Sequence, residues 1–134
     1  MRTLIVALMA LLLAACSAPE GEYLIPAQKW EDVVIKVESQ PAPVVAGMNE
    51  FLVLATLERG RPVHDLIVSL RSTDAQSWQQ AIQDGHSGVY RKAINVPAGV
   101  TELQVQLRRK RSESEVVLRF PLFPEQVGAA PSPR

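Results

Sequence analysis

Leu103-Gln104-Val105-Gln106-Leu107-Arg108 alternates apolar and polar side chains without a break. A strand turns successive side chains to opposite faces, so this stretch lays Leu103, Val105 and Leu107 into a core and leaves the other face wet. Residues 109–113 read as a charged hairpin turn, and Val116-Val117-Leu118-Arg119-Phe120 as the return strand. Toward the N-terminus, further Val-, Ile- and Leu-rich runs lie between turn signals. Residues 33–38 form one such strand, closed by Pro41 and Pro43, and Ala46-Gly47-Met48-Asn49 is a turn. The longest strand, 50–58, is broken by Gly60 and Pro62, and 66–71 places Leu66, Val68 and Leu70 on one face. Residues 72–77 are polar and loop-like. Residues 78–84 fit a helix opened by the capping box Ser77-Trp78-Gln79-Gln80, or a strand. The strand is preferred, because Asp84-Gly85-His86-Ser87-Gly88 then turns into a strand over 89–94, ended by Pro97 and Gly99. The expected fold is an all-β, immunoglobulin-like antiparallel sandwich of about seven strands.

The chain begins differently. Met1-Arg2-Thr3 precedes a mostly aliphatic run over 4–13 that ends at Leu13-Ala14-Ala15-Cys16, the layout of a secretory signal helix. The run is too short for a comfortable membrane span. Leu13-Ala14-Ala15-Cys16 resembles the bacterial lipobox, and the resemblance implies cleavage before Cys16, lipid on its thiol and acylation of the new amino group. Several acyl chains on one residue anchor a protein stably, where a single chain does not. Ser17 stands where an aspartate would signal inner-membrane retention, so the resemblance implies an outer-membrane anchor facing the periplasm. The organisation expected is a signal peptide over 1–15, a lipidated tether over 16–29, the sandwich over 30–123 and a Pro-bearing disordered tail over 124–134.

Composition narrows the function. The whole chain balances 14 basic against 14 acidic side chains, and loss of the signal removes only Arg2. Such a balance argues against a general nucleic-acid or anionic-membrane binder. Cys16 is the only cysteine, so the domain rests on its hydrophobic core without an intramolecular disulfide. No Gly-x-Ser-x-Gly elbow occurs. Asp65 beside His64 and Ser87 beside His86 read as chance neighbours, and no enzymatic activity is expected.

Gly47-Met48-Asn49-Glu50-Phe51, Gly60-Arg61-Pro62-Val63, Gly88-Val89-Tyr90 and Pro97-Ala98-Gly99, in that order, resemble YtkA-like and FixH-like periplasmic domains. That resemblance, over about residues 41–107, implies an Ig-like fold without demonstrated catalysis, and for some members a part in oxidase maturation or copper handling. FixH-type members carry a transmembrane helix where this chain has a lipobox. Imidazole and thioether suit copper, so a site of His64, His86 and Met48 would need three turns to converge at one end within about 6 Å before closing on metal–ligand bonds near 2 Å. An exposed turn histidine and a half-buried methionine account for the same residues without a metal. Tyr90 is expected to act structurally, as in a tyrosine corner. Trp78, flanked by polar residues, is the aromatic expected to face a partner. Arg109 and Arg111 belong to the densest charge run, which reads as a solvated tip that discourages edge pairing or as a contact for an acidic partner or phosphate-bearing lipid. The expectation is a lipid-anchored accessory module for an envelope protein, with no cofactor beyond its lipid; the alternative is copper binding or delivery.

Overall fold

The computed structural model describes residues 23–124, so the expected signal peptide, Cys16, the first half of the expected tether and the tail beyond Pro124 lie outside the described residues. The described chain forms two antiparallel sheets packed face to face, an immunoglobulin-like β-sandwich. Its strands are β1 (Gln28–Trp30), β2 (Val33–Gln40), β3 (Gly47–Leu57), β4 (Leu66–Arg71), β5 (Gln79–Gln80), β6 (Ile82–Gln83), β7 (Val89–Val96), β8 (Glu102–Arg109) and β9 (Glu115–Pro121). One sheet has the order β1-β2-β3-β7-β6 and the other β5-β4-β8-β9.

The period-2 pattern sets the facing. Val33, Ile35 and Val37 of β2 and Phe51, Val53 and Ala55 of β3 point inward from the first sheet, with Tyr90 and Ile94 of β7. Leu66, Val68 and Leu70 of β4 meet them with Leu103, Val105 and Leu107 of β8 and Phe120 of β9. Almost all of these are wholly buried, so the core is aliphatic with a few rings and closes without a disulfide.

Two differences from the expected strands have local causes. The single strand expected near 78–84 is two short ones, because the chain crosses between sheets at Ala81. There β5 pairs with β4, β6 pairs with β7, and the Ala81 N–H donates to Val68 C=O at 2.8 Å. The expected tether boundary also moves, because Gln28 and Lys29 belong to β1. These polar residues carry no alternation; pairing of Gln28 with Ile35 and of Lys29 with Val34 recruits them. Just before them the Tyr23 hydroxyl donates to Pro121 C=O at 3.1 Å, and Gln28 Nε2 donates to Arg119 C=O at 2.5 Å. This segment therefore covers part of the open edge of β9, where Pro121 has no N–H to offer.

The sandwich has two unlike ends. At one lie the β1–β2 turn with Glu31 and Asp32, the β3–β4 connection, the β6–β7 turn and the β8–β9 hairpin. At the other lie the β2–β3, β4–β5 and β7–β8 connections and both limits of the described chain.

Candidate functional site: the paired-histidine end

His64 and His86 are separated by β4, β5 and β6 in the chain, yet their rings meet edge to face with centroids 5.5 Å apart and planes at 66°. Four local devices bring them together. First, the β3 edge changes partners: Ala55 N–H donates to Gly88 C=O at 2.9 Å, and Ala55 C=O accepts from Val63 N–H at 2.9 Å. The returning segment 61–63 thus takes over where β7 turns away. Second, Gly88 sits in that junction with φ +74°, and a Cβ there would lie 2.7 Å from Ala55 O and 3.0 Å from Pro62 Cβ. Only glycine permits this approach. Third, the buried Tyr90 hydroxyl donates to Val63 C=O at 3.0 Å and accepts from Leu66 N–H at 3.3 Å, bracketing His64 and Asp65. Burial raises the Tyr90 phenol above its ordinary value, against the opposing bond from Leu66. Fourth, Gln83 Nε2 donates to His64 C=O at 3.0 Å while its Oε1 accepts from Gly88 N–H at 3.3 Å. One amide side chain ties the two histidine loops together.

The basic hairpin forms the adjoining wall. Arg109 is held: its Nε lies 3.1 Å from Glu31 Oε2, its Nη2 lies 2.6 Å from Asp32 Oδ1, and its guanidinium is 5.4 Å from the centre of the Trp30 ring. The Ser114 hydroxyl donates to Glu31, and this bond first, then Arg109, lowers the Glu31 carboxyl below the usual carboxylate range. Lys110 N–H donates to Asp65 C=O at 3.0 Å, docking the hairpin on the His64 loop. Arg111 is exposed at the tip. Together His64, His86, Asp65 and residues 109–111 line an open hollow of about 690 Å³.

The expected site residues separate here. Met48 is the second residue of β3, and the rest of that strand lies between it and His64, so the methionine is at the opposite end of the sandwich. The three-residue copper set is not formed. Among the described residues no group of three or more His, Cys, Asp or Glu side chains is placed to hold a metal. Ser87 Oγ donates to Asp84 C=O at 2.6 Å and accepts from Val89 N–H, so its hydroxyl serves the turn. Trp78 is half-buried under the Arg71 guanidinium, 4.1 Å from the ring centre, and Arg71 is fixed by Gln104 at 2.8 Å. Cys16 lies outside the described residues.

Gln83, Glu31 and Asp32 are organising residues that the sequence reading passes over, and Gly88 is read there only as a turn residue and part of a motif. The arrangement offers two imidazoles and the exposed cations Lys110 and Arg111 on a braced frame open to solvent. That chemistry suits recognition of an anionic or metal-bearing surface. No protein-family model, curated protein or solved structure compared with the chain matches it.

Proposed function

We propose that this chain is an envelope lipoprotein, held through acylated Cys16 to a bacterial membrane facing the periplasm, whose sandwich acts as a non-catalytic accessory module that docks a protein partner through its charged end. The observation that carries the reading is the bracing of that end. Tyr90, Gln83, Gly88 and Arg109 fix four connections into one presented surface, while Lys110 and Arg111 remain at its rim. Preorganised loops lose little entropy on binding, and confinement to a membrane raises effective concentration so that a modest contact suffices. The test is cross-linked purification of the full-length chain from gently solubilised membranes, beside the Lys110→Glu/Arg111→Glu variant. One envelope complex retained by the parent and lost from the variant supports the reading. Identical sets from both, or none from either, overturns it.

The 5.5 Å histidine pair favours a second reading, metal binding without Met48. Two imidazoles bonded to one ion at about 2 Å have ring centroids roughly 5–6 Å apart. Remaining ligands would come from solvent or from the docked partner, which fits a transfer site. Titration of the full chain with Cu(II) and Zn(II), followed by the histidine ring resonances, should perturb both rings together. A His86→Ala chain that binds as tightly as the parent removes the reading.

A further inference from the structure

The end of the sandwich opposite the histidines contains almost no charge. Residues 39–49, 93–101 and 120–124, and the incoming segment 23–27, hold no Lys, Arg, Asp, Glu or His. The one acid in the β4–β5 loop, Asp74, is turned onto the outer sheet face, where Gln104 Nε2 donates to it at 2.6 Å and Arg71 lies 3.5 Å away. In place of charge, this end holds large apolar side chains out in water: Leu24 is 78% exposed, Met48 61% and Val45 46%. Val45 and Met48 are presented by a built loop. Buried Asn49 accepts from Val45 N–H at 3.0 Å and donates to Val45 C=O and Gly47 C=O at 2.7 and 3.0 Å, fixing the backbone between Val45 and Met48. Leu24 lies across a groove of about 250 Å³ from Pro43 and Val44, which lead into this loop; Leu122 and Glu38 also line the groove.

We infer that this charge-free end is a membrane-apposed face, with Leu24, Val45 and Met48 seated in the headgroup–acyl boundary of the bilayer that holds the anchor. The inference rests on the lipidation of Cys16. The length of the intervening chain selects the occupant. Cys16 precedes Tyr23 by seven residues, a reach of at most about 25 Å. The eleven-residue β3 runs from this end to the other, about 35 Å at the usual strand rise. An anchor of that length brings the apolar end to the bilayer and does not let the sandwich stand upright on its histidine end. Apolar side chains at an interface gain by sinking some 5–10 Å into it. Glu38, Glu50 and Glu102 bound the charge-free stretches, so seating the loop tips alone loses no ion hydration. The same absence of basic residues sets the lipid chemistry: contact is apolar and does not require anionic headgroups.

The test uses the full-length acylated chain in vesicles. With the Cys16 thiol acylated, a second cysteine introduced at Val45→Cys, Met48→Cys, Arg61→Cys or Arg111→Cys is the only free thiol, and each is labelled with an environment-sensitive fluorophore. Labels at 45 and 48 should emit to the blue and be quenched by a lipid-borne quencher. They should be several-fold less accessible to an aqueous quencher than labels at 61 and 111. The pattern should be the same in zwitterionic phosphatidylcholine vesicles and in vesicles containing phosphatidylglycerol. Equal aqueous access at all four positions on a vesicle-bound, acylated chain overturns the inference and leaves the anchor standing. Labels at 45 and 48 that are dry yet untouched by the lipid-borne quencher also overturn it, assigning the face to protein, a second copy included. Intact mass distinguishes the remaining case, since a chain without acyl groups on Cys16 removes anchor and face together.

Discussion

Gly88 carries more of the site than either histidine does. Its left-handed backbone already disfavours a side chain, and a Cβ would also press on Ala55 O, a backbone atom with nowhere to move. Gly88→Ala should therefore cost more than the roughly 1–2 kcal/mol expected for an alanine in that backbone region alone. Gly99, with φ +86° and nothing within 4 Å of its Cβ position, provides the control. Paired urea melts should show Gly88→Ala well below Gly99→Ala, and equal midpoints would deny the close approach its role. Tyr90 makes the second residue-scale prediction. Tyr90→Phe leaves Val63 C=O and Leu66 N–H without their buried partner, a loss of about 1–3 kcal/mol. Burial raises the folded phenol above the unfolded value of 10.0. A group that holds its proton more tightly when folded contributes its full stability below the unfolded pKa and loses it as pH rises through the folded one. Stability of the parent should therefore fall above pH 10, and the phenylalanine variant should lose the Tyr90 share of that slope. Tyr23, also raised by burial, contributes a slope of the same sign in both chains.

Elements are joined by a few charged clasps, of which Arg109 is the most connected. It links the β8–β9 hairpin to the β1–β2 turn through Glu31, Asp32 and the face of Trp30. An isolated surface pair contributes about 0–1 kcal/mol and a cation over an aromatic face a similar amount. Arg109→Ala is accordingly expected to lower stability by about 1 kcal/mol and to speed amide exchange in β1 more than in β3. Uniform exchange across both strands would mean the clasp is not local. Glu31 gives this contact a pH sign: its folded carboxyl is depressed, so the contribution is present above the unfolded value and fades as pH falls through the folded one. The six long strands were legible in the sequence because each buries one face, which imposes alternation over six or more residues. β1, β5 and β6 were not, because two or three polar residues such as Gln79-Gln80 have no period, and a neighbouring strand decides their pairing. The site was half legible. Strand parity separates Met48 from His64, since only β3 lies between them, and returns His86 to the His64 end after β4 and the β5–β6 crossing. The contact between the imidazoles depends on Gly88 and Gln83, residues whose roles appear only when two distant loops pack.

Among the described residues the two ends of the sandwich differ: one gathers Glu31, Asp32, Asp65 and the basic hairpin, and the other exposes Leu24, Val45 and Met48. This difference separates two forces with different responses to salt. In the proposed arrangement lipid and apolar contact would hold the chain to the bilayer and be indifferent to screening, whereas cations such as Lys110 and Arg111 act through fields that fall off over about 10 Å at 0.1 M ionic strength and about 3 Å at 1 M. A partner docked on the charged end should therefore leave the membranes as salt rises, while the chain itself stays. Sedimenting membranes across that range and following both species measures the two attachments in one experiment. Retention of the partner at about 1 M would place its contact on apolar surface, with exposed Ile82 on β6 and Val117 on the outer face of β9 as the remaining candidates. Release of the chain together with its partner would mean that Cys16 does not hold it by lipid. Departure of the partner alone, restored on dilution and abolished by Lys110→Glu/Arg111→Glu, is the outcome that the proposed docking through the charged end requires.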